Sequence, residues 1–321
     1  MSELTVLAPY MEMISKSPGR PLEEQYMPWN EVSVDYQETY NSISGNSIHP
    51  MTRTHIIAMI AIEEDHWRLY HQFYYMTSDP ELKRLLAAVR RAEHIHRSRL
   101  EYLLDPKSTP LEKAIGLEMQ ATEYYKLAAR LEKNPAAKAA FEFILDEDRE
   151  HGHLYSVLYE LQGHDPKSLT GGLTEFYPRR TLSDEYLIPE ATIWMGLTEG
   201  CYQREEADPQ TLINIDTLIA GERTTYQSYH YYAHFIEDPS QRRLYAQIRR
   251  IEEQHNNIHE TLYNPHETIL ERIIHNELTE IWHYRRLMQI EENKFVRSIY
   301  QRHYEDELTH SYLFGQLANK Y

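Results

Sequence analysis

A glutamate followed three residues later by a histidine recurs four times in this 321-residue sequence: Glu93 with His96, Glu150 with His153, Glu252 with His255, and Glu307 with His310. Residues three apart share a helix face, so each pair aims a carboxylate and an imidazole in one direction. Roughly 30 residues upstream of each pair stands a lone glutamate: Glu63, Glu118, Glu222 and Glu277. Two glutamates, two more glutamates and two histidines make a ligand set that the chain carries twice. Four carboxylates supply four negative charges, two divalent ions neutralise them, and two imidazoles complete the shell. Mixed carboxylate and imidazole ligation suits iron or manganese better than calcium or zinc. The expectation is two dinuclear metal sites, with iron favoured and manganese an alternative.

The repetition separates these motifs from coincidence. The two halves align at an offset of 159 residues, with Glu63 falling on Glu222, Asp79-Pro80 on Asp238-Pro239, Glu93 and His96 on Glu252 and His255, and Glu118 on Glu277. Matching Glu150 and His153 to Glu307 and His310 requires the register to slip by two residues in the last hairpin. Two further Glu-x-x-His pairs, Glu63 with His66 and Glu280 with His283, do not repeat. His66 falls on Thr225, and Glu280 falls on Ala121. The pattern is a tandem duplication.

Helices must position these residues. Prolines preceded by capping residues mark their starts. The spacing predicts helices over about 50–76, 80–104, 110–133, 135–162, 209–236, 239–263, 267–291 and 294–318. The domain reading is an N-terminal extension (1–48) with short helical turns, a four-helix unit (49–163), a connector (164–207) and a second four-helix unit (208–321). Hydrophobic residues make up 41% of the chain, enough for real cores, and 11 glycines argue against a loop-rich β protein. A net charge of -17 disfavours nucleic acid as a partner. Cys201 is the single cysteine, which excludes an internal disulfide, a Cys₄ zinc site and a rubredoxin-type iron centre. No apolar stretch approaches a membrane span, and no signal peptide is evident, so a soluble cytoplasmic protein is expected.

The order of the motifs resembles the ferritin-like superfamily, most closely its rubrerythrin and bacterioferritin branches, over roughly 50–162 and 209–318. The resemblance implies an all-α fold of two tandem ferritin-like four-helix bundles. It also implies di-metal sites that react with O₂ or peroxide. It would make Glu63, Glu118, Glu222 and Glu277 terminal carboxylates, and Glu93, Glu150, Glu252 and Glu307 bridging ones. His96, His153, His255 and His310 would be the imidazole ligands. Rubrerythrins carry a further carboxylate on the third helix, for which this chain has Ile115 and Ile274 three residues before Glu118 and Glu277. A rubredoxin module is absent as well, so a reductase would need an external electron donor.

Loop length bears on the pairing of helices. Closing the family's bundle within one half needs a crossover of nearly ~30 Å between the second and third helices, by the helical rise. The five residues from Asp105 to Thr109 reach only ~17 Å. The expected solution is an exchange of hairpins. Glu63, Glu93 and His96 would then meet Glu277, Glu307 and His310, while Glu222, Glu252 and His255 would meet Glu118, Glu150 and His153. An up-down-up-down bundle within each half stays open as the alternative.

Tyrosines also repeat. Tyr70 and Tyr229 lie seven residues after the first-helix glutamates, and Tyr125 and Tyr284 seven after the third-helix ones. They are placed to hydrogen-bond carboxylates, to carry an electron, or to pack as core tyrosines. His71 and His230 repeat too and are read as outer or packing residues, not ligands. The functional expectation is an oxidoreductase acting on peroxide, O₂ or Fe²⁺, of a rubrerythrin-like peroxidase or ferroxidase kind associated with oxidative stress. Two alternatives stand beside it: peroxide disproportionation of the manganese catalase kind, and a non-enzymatic structural or metal-sequestering protein. A homo-oligomer is compatible with either class.

Overall fold

The computed structural model describes residues 19–25, 48–178, 208–263 and 266–320. Most of the N-terminal extension, the larger part of the connector and Cys201 lie outside the described residues. Among the described residues all regular structure is helical. Eight long helices are α2 (Pro50–Met76), α3 (Pro80–Glu101), α4 (Pro110–Leu131), α5 (Pro135–Leu161), α7 (Pro209–Phe235), α8 (Pro239–Thr261), α9 (Ile269–Ile290) and α10 (Lys294–Ala318). Two single turns accompany them, α1 (Leu22–Gln25) and α6 (Lys167–Thr170).

The helix starts follow from side-chain caps. Asp79, Asn134, Asp208 and Asp238 accept backbone N–H groups of the first turn, and a proline follows each. Proline costs nothing there because its missing N–H would have no partner inside the helix. Thr109 with Glu112 and Thr268 with Glu271 form reciprocal capping boxes at repeat-equivalent places. The ends repeat as well. Glu132 accepts the N–H groups of Lys133 and Asn134, and Glu291 accepts that of Asn293.

The chain divides into two compact units whose boundaries cut across the repeats. Unit 1 takes Met1–Ile48, Met59–Asp105 and His266–Tyr321, so far as these are described. Its long helices are most of α2, with α3, α9 and α10. Unit 2 takes His49–Ala58 and Pro106–Pro265, which gives it α4, α5, α7 and α8. Each unit therefore joins two helices of one repeat to two of the other.

In unit 1, Leu86, Val89, Ile273, Ile274, Ile281 and Phe314 form a buried apolar cluster with Tyr70. In unit 2, one cluster gathers Phe141, Ile144, Ile215, Ile219 and Ile258. A second gathers Ala114, Ile115, Tyr155, Tyr229, Tyr245 and Ile248. Each large aliphatic side chain buried in this way contributes about 1.5–3 kcal/mol. Ile115 and Ile274, the positions that depart from the rubrerythrin pattern, thus serve as core. No helix among the described residues is long and apolar enough to cross a membrane.

Candidate metal centres

In unit 1 four helices deliver their donors to one place. α2 supplies Glu63, α3 supplies Glu93 and His96, α9 supplies Glu277, and α10 supplies Glu307 and His310. All six are buried to 1% exposure or less. Their ligand atoms fall into two overlapping groups. Glu63, Glu93, His96 and Glu307 form one, and Glu93, Glu277, Glu307 and His310 form the other. The groups share Glu93 and Glu307, and each of these gives one oxygen to each side. Glu307 Oε1 lies 2.8 Å from His96 Nδ1, and its Oε2 lies 2.8 Å from His310 Nδ1. Glu93 Oε2 lies 3.6 Å from His96 Nδ1, and its Oε1 lies 3.1 Å from His310 Nδ1. Glu63 and Glu277 each serve one side only, with an oxygen 3.5 Å from His96 and from His310 respectively.

Unit 2 repeats the arrangement with one change of residues. Its groups are Glu118, Asp148, His151 and Glu252, and Asp148, Glu222, Glu252 and His255. Glu252 spans the two sides, with Oε1 at 2.8 Å from His151 Nδ1 and Oε2 at 3.1 Å from His255 Nδ1. In both units the imidazole pair has ring centroids 6.0 Å apart and planes at 23°.

The donors on α5 are thus Asp148 and His151, not the expected Glu150 and His153. Two residues turn a helix by ~200°, so the expected pair lies on another face. Asp148 and His151 match Glu307 and His310 at the unbroken offset of 159 residues. The repeat holds an aspartate at this place, so its register runs through the last hairpin without a slip.

Electrostatics within the clusters are severe, because an isolated buried charge is very costly. Burial pushes the Glu63 carboxyl well above its usual range. Burial and the neighbouring Glu252 raise Glu222 to about 8. Glu277 rises to about 7, chiefly by burial. Glu118 and Asp148 are raised by burial and by the carboxylates around them. Burial acts on the shared carboxylates Glu93 and Glu252 too, but two imidazoles beside each outweigh it and hold them below the usual range. The carboxylates likewise overcome burial at His96, His255 and His310 and raise them.

Several donors approach without bonding one another. Glu63 Oε2, both oxygens of Glu93, His96 Nδ1, Glu277 Oε2 and Glu307 Oε1 are buried without a hydrogen-bond partner. So are Glu118 Oε2, both oxygens of Asp148, His151 Nδ1 and Glu252 Oε1. His96 Nδ1 is only 2.8 Å from Glu307 Oε1, yet the pair is not aligned as a hydrogen bond. Atoms directed at a common point rather than at each other are what cation ligation requires. The buried Glu, Asp and His clusters could therefore hold metal ions, and their composition fits the dinuclear set.

The four expected tyrosines sit on these carboxylates, each reaching across to a glutamate of another helix. Tyr70 donates to Glu277 at 2.6 Å and Tyr229 to Glu118 at 2.5 Å. Tyr284 donates to Glu63, and Tyr125 to Glu222. His71 and His230 belong to none of the donor groups. Both are exposed. His71 accepts from Arg90 at 2.6 Å, and the ring of His230 lies 4.5 Å from that of His234. One residue past Tyr70 or Tyr229 is ~100° around the helix, away from the core.

Other residues of the sites escaped the sequence reading. His96 Nε2 pairs with Asp306 Oδ2 at 3.0 Å, and His255 Nε2 with Glu147 Oε2 at 2.9 Å. Asp306 and Glu147 are repeat-equivalent, so the offset could have found them. His310 Nε2 meets Gln25 Oε1 at 2.7 Å. This brings the turn α1 onto the unit 1 cluster, and no local signal marks Gln25. His66 and Glu280, set aside because they do not repeat, form a fully buried pair at 2.8 Å in unit 1. His303 also lies in unit 1, stacked on His96 with ring centroids 4.2 Å apart.

Comparison with models of known families, with curated proteins and with solved structures returns no match.

Proposed function

We propose that the protein is a dinuclear metal carboxylate protein of ferritin-like type, with one two-metal centre in each unit and hairpins exchanged between the halves. The observation that carries this reading is the pair of overlapping donor groups in unit 1, joined by Glu93 and Glu307 and repeated in unit 2 around Asp148 and Glu252. A carboxylate with one oxygen on each side is what two adjacent cations share. Iron or manganese is favoured over calcium and zinc by the balance of carboxylate and imidazole.

When bound, a redox-active metal pair supplies two electrons for the reduction of peroxide or O₂. The chain supplies the rest. Glu63 and Glu277 in unit 1, and Glu222 and Glu118 in unit 2, would each bring one negative charge to one side of a centre, and each is held in place by a tyrosine hydroxyl. Asp306 and Glu147 fix the ring orientation of His96 and His255 through the far nitrogen. The apolar shell keeps bulk water away, which strengthens every electrostatic interaction inside. The chemistry proposed is oxidation of Fe²⁺ or reduction of peroxide or O₂, with electrons from an external donor for repeated turnover.

A second reading has its own support. Every donor in the two centres is at most 2% exposed, as in a metal site that only holds a fold together. Two measurements separate the readings. Elemental analysis after anaerobic Fe²⁺ or Mn²⁺ loading should give about four ions per chain, two per centre. Stopped-flow mixing of the loaded protein with peroxide should then show rapid oxidation of the metal. Binding without reaction selects the structural reading, and no binding removes both.

A further inference from the structure

We propose that the ion at the Glu63–His96 position of unit 1 takes His303 as a second imidazole ligand, so that the two centres of the chain are chemically unequal. This rests on the reading of the clusters as metal centres and goes beyond it.

Glu63, His96 and His303 each offer a ligand atom, and the three atoms lie within 4.8 Å of one another. All three residues are buried to 1% or less. His303 stands one helical turn before Glu307 on α10, and residues four apart share a face. Its ring lies closer to His96, at 4.2 Å between centroids, than His310 does at 6.0 Å. Nitrogens of two adjacent ligands on one ion, each bonded at ~2.1 Å, bring imidazoles about that close.

Hydrogen bonding fixes which nitrogen is free. Tyr284 donates its hydroxyl hydrogen to Glu63, so its oxygen can only accept from His303 Nδ1, 2.9 Å away. The proton of His303 is therefore on Nδ1, and the lone pair is on Nε2. That Nε2 is buried and has no hydrogen-bond partner. A ligating histidine whose other nitrogen donates to a neighbour has this arrangement.

Among the described residues unit 2 shows no such third imidazole in its donor groups. The position equivalent to His303 is Ile144, part of an apolar cluster. His259 of unit 2 meets Tyr125 at 2.5 Å, but it belongs to neither donor group of that unit. Among the described residues unit 1 thus offers three imidazoles and unit 2 offers two. An added nitrogen donor favours Fe²⁺ or Co²⁺ over Mn²⁺ at that position, so a mixture of metals should partition unequally between the centres.

The test is proton NMR of the full chain loaded with Co²⁺. Each ligated imidazole gives one hyperfine-shifted N–H resonance that disappears in D₂O. Three such resonances are expected from unit 1 and two from unit 2, with Asp148→Asn assigning the latter. His303→Gln should delete one resonance of unit 1 and weaken one Co²⁺ ion by about 10–100-fold. Tyr284→Phe should leave that resonance present but speed its exchange with water. Two resonances from each unit in the unaltered protein would overturn the proposal while leaving the metal reading intact, and this count needs no variant to fold. An unchanged spectrum in His303→Gln would overturn it as well. Failure of the chain to bind Co²⁺ at all would remove the metal reading itself.

Discussion

The hydroxyl of Tyr70 lies 2.6 Å from Oε1 of Glu277, a residue 207 positions further along the chain. Tyr70 was placed by its spacing from Glu63, on its own helix, yet it serves the carboxylate of α9. The same crossing holds for Tyr284 and Glu63, so within unit 1 Glu63 and Glu277 are each steadied by the helix that carries the other. Tyr70→Phe removes one donor from a buried carboxyl and leaves the ring's packing in place. The expected cost is about 1–3 kcal/mol of stability. One metal ion of unit 1 should bind about 10–100-fold more weakly. Calorimetry and metal titration check both, and wild-type affinity in the variant would show that the hydroxyl does not position Glu277.

The aspartate on α5 can be tested against its glutamate neighbour. Asp148→Asn should lower the bound metal from about four ions per chain to about two, since Asp148 is common to both donor groups of unit 2. Glu150→Gln should leave the metal content unchanged. The reverse pattern in elemental analysis would restore the slipped register.

Stability of the metal-free protein should fall as pH rises. Glu277 and Glu222, raised to about 7 and about 8, favour the folded state while protonated. Their contribution is complete below the unfolded value of about 4.3. It is lost as pH climbs through 7 to 8. His96, His255 and His310, also raised, act in the same direction above about 6.5. Glu93 and Glu252, held low, act the other way and lose their contribution only as pH falls below the unfolded value of about 4.3. Melting temperatures of chelator-treated protein at pH 5.5, 7 and 8.5 should therefore decline. Loading with metal should flatten or reverse the trend, because ligation requires the deprotonated carboxylates. A flat profile without metal would mean that these groups do not carry the shifts assigned to them.

Gly152, beside His151 on α5, is kept free of a side chain by Phe176. A Cβ there would lie 2.3 Å from the phenyl ring. Gly152→Ala should destabilise by about 1–3 kcal/mol through overpacking, more than the ~1 kcal/mol that alanine gains in a helix interior. Adding Phe176→Ala should recover part of the loss in urea melts. Equal stability of Gly152→Ala and the parent would show that Phe176 moves aside freely.

The helices were legible because their boundaries are written locally. Asp79-Pro80, Thr109-Pro110 and Asn134-Pro135 each cap and start a helix within two residues. The donors Glu63, Glu93, His96, Glu118, Glu222, Glu252, His255, Glu277, Glu307 and His310 were legible because a helix face is a matter of spacing. Asp148 and His151 were within reach of the same logic but were hidden by the search for one residue type. Gln25, His303 and the His66–Glu280 pair were out of reach. Periodicity says which way a side chain points, not what stands opposite it, and each of these owes its place to a helix distant in sequence.

Unit 2 is drawn almost entirely from one unbroken stretch, Pro106–Pro265, whereas unit 1 needs residues on both sides of it. This sets an order of assembly during synthesis. A ribosome that has just added residue 265 has incorporated every donor of the unit 2 centre into the chain. Of the unit 1 centre it has delivered only Glu63, Glu93 and His96. These three must wait, without their partners, until α9 and α10 emerge. The donors of the second centre are complete before α9 begins; those of the first are complete only once α10 has been added.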